Sequence, residues 1–199
     1  EYKKAIDDDT AIVSFMWANN ETGVIFPVEE AAVIAKANGA QFHADAVQAV
    51  GKIPINMAAS KIDMLSLSGH KLHAPKGIGA LYVRKGTPYR PLLVGGHQEK
   101  SRRAGTENAA AIIALGKACQ LAGEFMNEEN TTVKAKRDRL ESALMAAIPH
   151  ARVNGGGADR LPNTTSIAFE FVEGEAILLL LSELGICASS GSACTSGSL

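Results

Sequence analysis

The chain has 199 residues, with 20 Lys and Arg against 21 Asp and Glu, so its formal net charge is −1. Hydrophobic residues make up 46% and charged residues 21%, which excludes disordered, collagen-like and highly charged chains. A net charge near zero also argues against nucleic acid as the main partner, because neutralising phosphates requires clustered Lys and Arg. The longest apolar run, 109–115, is far shorter than the roughly 20 residues that span a bilayer.

The two ends predict that the chain is part of a longer protein, and the few cysteines predict a reducing compartment. The chain opens on Glu1 with neither an initiator Met nor a signal peptide, and it ends in a run of small residues, 189–198. We therefore expect truncation of a longer protein. Cys119, Cys187 and Cys194 are odd in number and give no disulfide framework, so we expect a cytoplasmic location.

Short apolar runs and one capped helix organise the first part of the chain. Between the first two runs, Pro27 is predicted to lie in the first turn of a helix and Gly39 to follow its end, which is the usual order at the two ends of a helix. Strands alternating with helices predict an α/β fold with a largely parallel sheet. The runs that predict strands are 11–17, 41–44, 64–67 and 78–83.

The remaining residues predict long helices and a second domain. Helical stretches cover 106–128 and 132–147, a half-buried strand covers 166–171, and an apolar helix covers 174–184. The two long helices predict a domain change near residue 130, which divides the chain into a large domain, 1–130, and a small one, 131–199.

Polar residues cluster where three successive predicted strands end. In open α/β sheets, ligands bind beyond the carboxyl ends of the strands. Each cluster alone has a structural alternative, because Asn and Gly form turns and Asp45 is able to cap the next helix. Their coincidence at three strand ends favours a binding site. The clusters are Asn19, Asn20, Glu21 and Thr22; then His43, Asp45 and Gln48; then Ser68, His70 and Lys71.

Lys71 is the sharpest candidate in these clusters. Partial desolvation at a sheet edge frees a lysine amine to attack an aldehyde and form a Schiff base. Ser68 and His70 beside it offer hydrogen bonds to a phosphate, and Asp45 is the kind of partner that keeps a pyridine nitrogen protonated. Together these residues predict a pyridoxal-phosphate site rather than a solvated surface lysine.

Cys194 is the second candidate centre. Gly and Ser flank it, which predicts a mobile, exposed thiol near the cofactor that captures an atom covalently and exports it. Cys119, in an Ala/Leu/Ile helix, is predicted to be buried, and Cys187 is predicted to lie in a core strand. No Cys or His stands at a zinc-type spacing from Cys194, which disfavours a metal site.

These segments resemble the cysteine desulfurases, pyridoxal-phosphate enzymes of fold-type I in the aminotransferase class V superfamily. The Ser-Gly-His-Lys motif and the cysteine loop are highly specific together, and the first and fourth stretches resemble the nitrogen-fixation (Nif) branch. The resemblance implies a mixed, mostly parallel sheet with helices on both faces, followed by a smaller α+β domain, both truncated. The similar stretches are MWANNETG (16–23), FHADAVQAVGKIPI (42–55), SLSGHKLHAPKGIGALYVR (66–84), GGHQEKSRRAGTENAAAI (95–112), LPNTTSIAF (161–169) and VEGEAILLLL with SSGSACTSGSL (172–199).

The resemblance implies a role for each candidate residue around the cofactor, pyridoxal 5'-phosphate. Lys71 forms the Schiff base, Asp45 pairs with the pyridine nitrogen, Gln48 binds the phenolic oxygen and Asn20 touches the substrate adduct. The phosphate is held by Ser68 and His70, with Gly69 between them, and by Thr106 from the partner subunit of a homodimer.

The resemblance also implies the sulfur chemistry. Cys194 takes sulfur from L-cysteine as a persulfide and leaves L-alanine, and the sulfur passes to an acceptor or scaffold protein for iron–sulfur cluster assembly. Ligation of an iron–sulfur cluster through that persulfide stays open. The family's Gly/Thr phosphate cup, ring-stacking histidine and substrate-binding arginine have no match in these 199 residues.

Two alternatives remain at this point. Another class V enzyme, a selenocysteine lyase or an aminotransferase, would share Asp45 and Lys71, but an aminotransferase would not need the Cys194 loop. A non-catalytic sulfur carrier would need Cys194 but no Schiff-base lysine.

Overall fold

A four-stranded sheet organises the first part of the chain. The computed structural model describes residues 1–190, and residues 191–199 lie outside the described part. The first three strands are parallel neighbours and the fourth runs antiparallel to the third, which confirms the predicted α/β fold with a mixed, mostly parallel sheet. In sheet order the strands are β1 (Ile12–Met16), β2 (Gln41–Asp45), β3 (Met64–Ser68) and β4 (Gly79–Val83).

The helices differ in length from a single turn to four turns. Over the described residues, no single helix is long and apolar enough to cross a membrane; a bent pair, Ala109–Glu124 with Met126–Ala147, passes by length and composition only when taken together. The helices are α1 (Tyr2–Ala5), α2 (Val28–Ala37), α3 (Gln98–Ser101), α4 (Ala109–Glu124), α5 (Met126–Glu128), α6 (Lys134–Ala147) and α7 (Gly174–Glu183), with a 3-10 turn at Gly69–Leu72 and a π turn at Glu129–Val133.

Strand β2 shows how the sheet acquires one apolar face and one polar face. Successive side chains of a strand point to opposite sides. Phe42 and Ala44 are fully buried on the side covered by α2, where the Phe42 ring meets the Phe15 ring edge-on at 5.8 Å. His43 and Asp45 point to the other side and are only half-buried. The polar residues of β2 therefore share the face opposite α2.

A tight turn follows β3 and carries the predicted lysine. The 3-10 turn Gly69–Leu72 is anchored by Leu72, which is buried against Leu115 of α4. The Gly69 N–H donates to the Ile78 carbonyl at 2.8 Å, and a Cβ at position 69 would lie 2.7 Å from Ile78 Cγ2. Only glycine fits such a close approach, so the backbone just before Lys71 is fixed by packing.

The described residues form two compact units. One consists of Glu1–Trp17 and Phe26–Asn127, and the other consists of Ala18–Ile25 and the chain from Glu128 onward. The segment 18–25 therefore belongs to the second unit, although it precedes most of the first in sequence. The division of the whole protein near residue 130 stays a prediction.

A half-buried ion pair stabilises the second unit, which contains the antiparallel strands β5 (Ala151–Val153) and β6 (Ile167–Phe169). Arg160 donates through Nη1 and Nη2 to the two carboxylate oxygens of Glu141, each at 2.8 Å, and the Thr165 hydroxyl donates to the same carboxylate at 2.6 Å. The Arg160 and Glu141 side chains are 11% and 17% exposed. Hydrogen bonds from Arg160 hold the pKa of Glu141 below its usual range, although burial opposes them.

We expect Glu141→Gln to destabilise the second unit near neutral pH. Charged hydrogen bonds contribute about 2 kcal/mol, and the variant leaves Arg160 without its anion. Because the folded protein has the lower carboxyl pKa, this stabilisation is present above the unfolded value of about 4.3 and is lost as pH falls through the folded pKa. Urea unfolding at several pH values measures the free-energy difference between variant and parent.

The exposed Glu183 of α7 gives the matched control, since surface substitutions usually change stability by less than about 0.5 kcal/mol. A Glu141→Gln protein as stable as Glu183→Gln at pH 7 would show that the ion pair contributes nothing. A destabilisation that persists unchanged below the folded pKa would show that packing, not charge, is responsible.

Candidate functional site

The structure brings two of the three predicted clusters to neighbouring strand ends. Asp45 is the last residue of β2 and Ser68 is the last residue of β3, and these parallel strands are paired in register at Asp45 and Ser66. The chain then turns at both ends, into residues 46–50 and into Gly69–Leu72. The polar residues that follow β2 and β3 therefore share one edge of the sheet.

Asp45 both caps a turn and keeps one carboxylate oxygen available for a ligand. Its Oδ1 accepts a hydrogen bond from the Val47 N–H at 3.0 Å, so it does cap the turn that follows β2. Within residues 1–190, its Oδ2 has no hydrogen-bond donor. Gln48 lies half-buried in the same turn, and its amide likewise has no partner in the described part of the chain. Capping fixes the carboxylate and leaves one oxygen for a ligand.

Ser68, His70 and Lys71 form a compact polar turn. The Ser68 hydroxyl and the His70 Nδ1 are 2.7 Å apart, which leaves the His70 Nε2 without a partner in the described chain. Lys71 is exposed, and its amine has no hydrogen-bond or ion-pair partner among residues 1–190. The desolvation expected for this lysine is therefore not supplied by the described residues. The turn presents donors and an amine beside Asp45.

The first cluster lies in the second unit. Asn20 is exposed in the segment Ala18–Ile25. Its neighbour Asn19 closes the turn, because Asn19 Oδ1 accepts hydrogen bonds from the Glu21 N–H at 2.9 Å, the Thr22 N–H at 2.8 Å and the Thr22 hydroxyl at 3.0 Å. Asn19 thus has a structural role, whereas the Asn20 side chain makes no hydrogen bond within residues 1–190 and is available to a ligand.

The start of the long helix differs from the prediction. Helix α4 begins at Ala109 rather than at Thr106, because Asn108 provides the N-cap and its side-chain oxygen accepts from the Ala111 N–H at 3.2 Å. Thr106 is exposed in the preceding loop. It does not cap the helix, which leaves its hydroxyl available for the partner-subunit role that the resemblance implies.

Two of the cysteine predictions are wrong. Cys119 is exposed, because the buried positions of α4 include Ala118, and the next residue is turned about 100° away from that face. Cys187 is also exposed and lies in no strand, since it follows the end of α7 and the only strands of its unit are β5 and β6 among the described residues. Cys194, the predicted nucleophile, lies outside the described residues.

His43 is the residue that sequence analysis placed in a cluster without giving it a role. It lies two positions before Asp45 on the same face of β2. Its Nδ1 is 2.7 Å from the Ser14 hydroxyl of β1, and its Nε2 is 3.1 Å from the Ser66 hydroxyl of β3. The two-residue periodicity of a strand is the sequence signal that places His43 on the same face as Asp45.

The whole chain, residues 1–199, matches the aminotransferase class V family. The chain belongs to this family. It is 64% identical over 198 residues to the cysteine desulfurase NifS of Azotobacter vinelandii, and 66% identical over 198 residues to a cysteine desulfurase of Gluconacetobacter diazotrophicus. Both alignments cover 100% of this chain, but the chain spans only 49% and 50% of these relatives.

Solved structures of NifS-like proteins have the same fold. A NifS-like protein from Rickettsia africae superposes with a TM-score of 0.87 at 34% identity over 98% of this chain and 54% of that protein. Another NifS-like protein gives a TM-score of 0.88 at 38% identity over 98% and 54%. The sequence match along the whole chain, with the fold match over 98% of it, confirms the resemblance drawn from the motifs.

The residues at the sheet edge fit pyridoxal 5'-phosphate, the cofactor of the cysteine desulfurases that this chain matches. Asp45 retains a carboxylate oxygen suited to a protonated pyridine nitrogen, and Lys71 offers an amine for the aldehyde. Ser68 and His70, held together at 2.7 Å, offer donors suited to a phosphate. The donor set therefore matches the pyridine nitrogen, the aldehyde and the phosphate of the cofactor.

Proposed function

We propose that the full-length protein is a cysteine desulfurase, converting L-cysteine and a cysteine thiol into L-alanine and a protein persulfide. The observation that carries the proposal is the placement of Asp45 and the Ser68–Lys71 turn at neighbouring strand ends. Relatives named cysteine desulfurase support the reaction, and a solved structure described as SspA in complex with cysteine supports the substrate. That structure has a TM-score of 0.79 and 33% identity.

The chain's own residues hold and orient the cofactor. When bound, pyridoxal 5'-phosphate supplies the electron sink for carbanion chemistry. Asp45, fixed by the Val47 N–H, holds the pyridine nitrogen in its protonated form, and Gln48 binds the phenolic oxygen. Lys71 holds the aldehyde end and then moves the substrate proton with its free amine. Asn20 contacts the substrate.

The phosphate and the sulfur are handled by separate residues. The hydrogen-bonded Ser68–His70 pair donates to the phosphate, and Thr106 of a second copy completes the phosphate site in a homodimer. The Cys194 thiolate attacks the sulfur of L-cysteine; the carbon–sulfur bond breaks, its electron pair is retained on carbon, and a proton completes L-alanine. The reaction is redox-neutral and leaves one sulfur atom on Cys194.

The proposed role in the cell is sulfur delivery. The persulfide delivers sulfur in the cytoplasm to an acceptor or scaffold protein that assembles iron–sulfur clusters. The NifS name of a relative 64% identical to this chain supports a role in nitrogen fixation. The exposed apolar residues of the loop between β4 and α3, with Leu92 91% and Val94 78% exposed, are consistent with coverage by a second subunit.

We expect Asp45→Asn to reduce alanine formation by about 100-fold or more while leaving the fold intact. Asparagine still accepts the Val47 hydrogen bond, so the turn survives, but a neutral amide does not hold the pyridine nitrogen protonated. Alanine and protein-bound sulfur, measured after adding L-cysteine to the cofactor-loaded full-length protein, give the rates.

Asp159→Asn gives the matched control, because Asp159 is exposed and, among the described residues, only its backbone carbonyl makes a hydrogen bond. If Asp45→Asn turned over L-cysteine as fast as the parent, the role of Asp45 would be limited to capping the turn. Amino transfer from L-cysteine to a 2-oxo acid without equimolar alanine and sulfur would contradict the desulfurase itself and favour an aminotransferase.

A further inference from the structure

A row of three polar side chains crosses the sheet just before the proposed cofactor residues. Ser14, His43 and Ser66 come from β1, β2 and β3, and Ser14 is the register partner of His43. Ser66 is hydrogen-bonded to His43 and is also the register partner of Asp45. The row therefore supports the strand ends on which the proposed site is built.

The contacts of His43 are suited to an uncharged imidazole. A neutral ring has one N–H donor and one nitrogen acceptor, and a serine hydroxyl is able both to donate and to accept. The distances of 2.7 Å to Ser14 and 3.1 Å to Ser66 satisfy both ring nitrogens. In the described chain, no carboxylate is hydrogen-bonded to the ring, so no direct anionic partner requires a second proton on it.

The charges around His43 are few. Burial lowers the pKa of His43, and the charge of Asp45 opposes this effect only in part. The strands on either side present no ionisable side chain to this face of the sheet over the described residues, and His70 and Lys71 are the ionisable groups in the turn that follows β3. The flanking residues on this face are Ile12, Ser14 and Met16 from β1 and Met64, Ser66 and Ser68 from β3.

We propose that His43 is a positioning residue which supports Asp45 while remaining uncharged, so that the full negative charge of Asp45 acts on the pyridine nitrogen of the cofactor. This inference rests on the proposed function. A cation two positions away on the same strand face would offset the carboxylate charge and weaken its hold on the protonated nitrogen. Ser14 and Ser66 keep the ring oriented without requiring a second proton on it.

The test compares the pH dependence of cofactor binding in the full-length protein and in His43→Gln. The glutamine amide donates and accepts hydrogen bonds but does not titrate. In the parent, affinity for pyridoxal 5'-phosphate should fall about tenfold as pH falls through the His43 pKa, the size expected for one charge about 7 Å away along a strand. In His43→Gln this step should be missing. Equilibrium dialysis and the visible absorption of the bound cofactor give the affinity at each pH.

Three further variants distinguish the possible outcomes. Ser14→Ala and Ser66→Ala each remove one partner of His43 and should displace the step along the pH axis, whereas His150→Asn, an exposed histidine in the second unit, should leave it unchanged. The same step in His43→Gln as in the parent would overturn the inference, and so would an affinity lowered equally at every pH. Failure of the parent to bind the cofactor would instead overturn the proposed function.

Discussion

Replacing Lys71 with Ala in the full-length protein should abolish alanine formation, to below about one part in 1,000 of the parent rate. The lysine amine is the group expected both to hold the cofactor through its aldehyde and to move the substrate proton, so both functions are lost together. The variant should still fold, because Lys71 is exposed and the turn is anchored by Gly69 and Leu72 instead. Rates of alanine release and borohydride labelling of the cofactor-loaded protein measure the two losses.

Lys76→Ala is the matched control, since Lys76 is an exposed lysine in the loop that leads to β4. Borohydride should attach the cofactor to Lys71 in the parent and in Lys76→Ala. Lys71→Arg should be as inactive as Lys71→Ala, because a guanidinium stays protonated and does not act as an amine nucleophile. Near-normal turnover of Lys71→Ala without an added amine would remove Lys71 from the proposed site.

Replacing Cys194 with Ala should eliminate protein-bound sulfur while leaving cofactor binding intact. Cys194 lies outside the described residues, so this expectation rests on its sequence, in which small residues surround the thiol. A free thiol has a pKa of about 8.5, so only a few per cent is thiolate at neutral pH and the rate should rise with pH. Mass spectrometry of the parent after adding L-cysteine should find one additional sulfur atom on the Cys194 peptide, removable by a thiol.

The other two cysteines provide the control positions for this experiment. Cys119 and Cys187 are both exposed in the described chain, and each serves as a matched control when changed to Ala. Both control variants should retain the sulfur on Cys194. Sulfur on Cys187, together with an active Cys194→Ala protein, would transfer the nucleophile role to Cys187.

Much of the sheet could be predicted because its strands are fully apolar on one side and end in turn-forming residues. The run 11–17 contains β1, and Pro27 and Gly39 bracket α2, because a proline start and a glycine end each have a backbone reason. Asp45 and the Ser68–Lys71 turn could be placed at the ligand edge because parallel strands end on the same side.

The errors arise where local sequence offers two equivalent solutions. Thr106 and Asn108 are both good N-caps, and only the observed contact with Ala111 decides between them. Helix α4 is apolar around most of its circumference, so the sequence did not indicate which face is buried, and Cys119 was assigned to the wrong one. The pairing of segment 18–25 with the second unit depends on contacts such as the Leu161 N–H with the Gly23 carbonyl, which no local pattern encodes.

The antiparallel course of β4 has a consequence for how this protein tolerates change. Lys71 lies on the connection 69–78, which leaves the sheet at β3 and returns beside it at β4, and its first residue is tied to Ile78. Lengthening such a closed loop costs little stability, since closure entropy grows only slowly with length. An insertion between His73 and Gly77 that the fold tolerates would nevertheless loosen the backbone that positions the Lys71 amine. Insertions in this connection should therefore misplace the Lys71 amine without unfolding the protein. Such variants should keep the melting temperature of the parent and lose turnover.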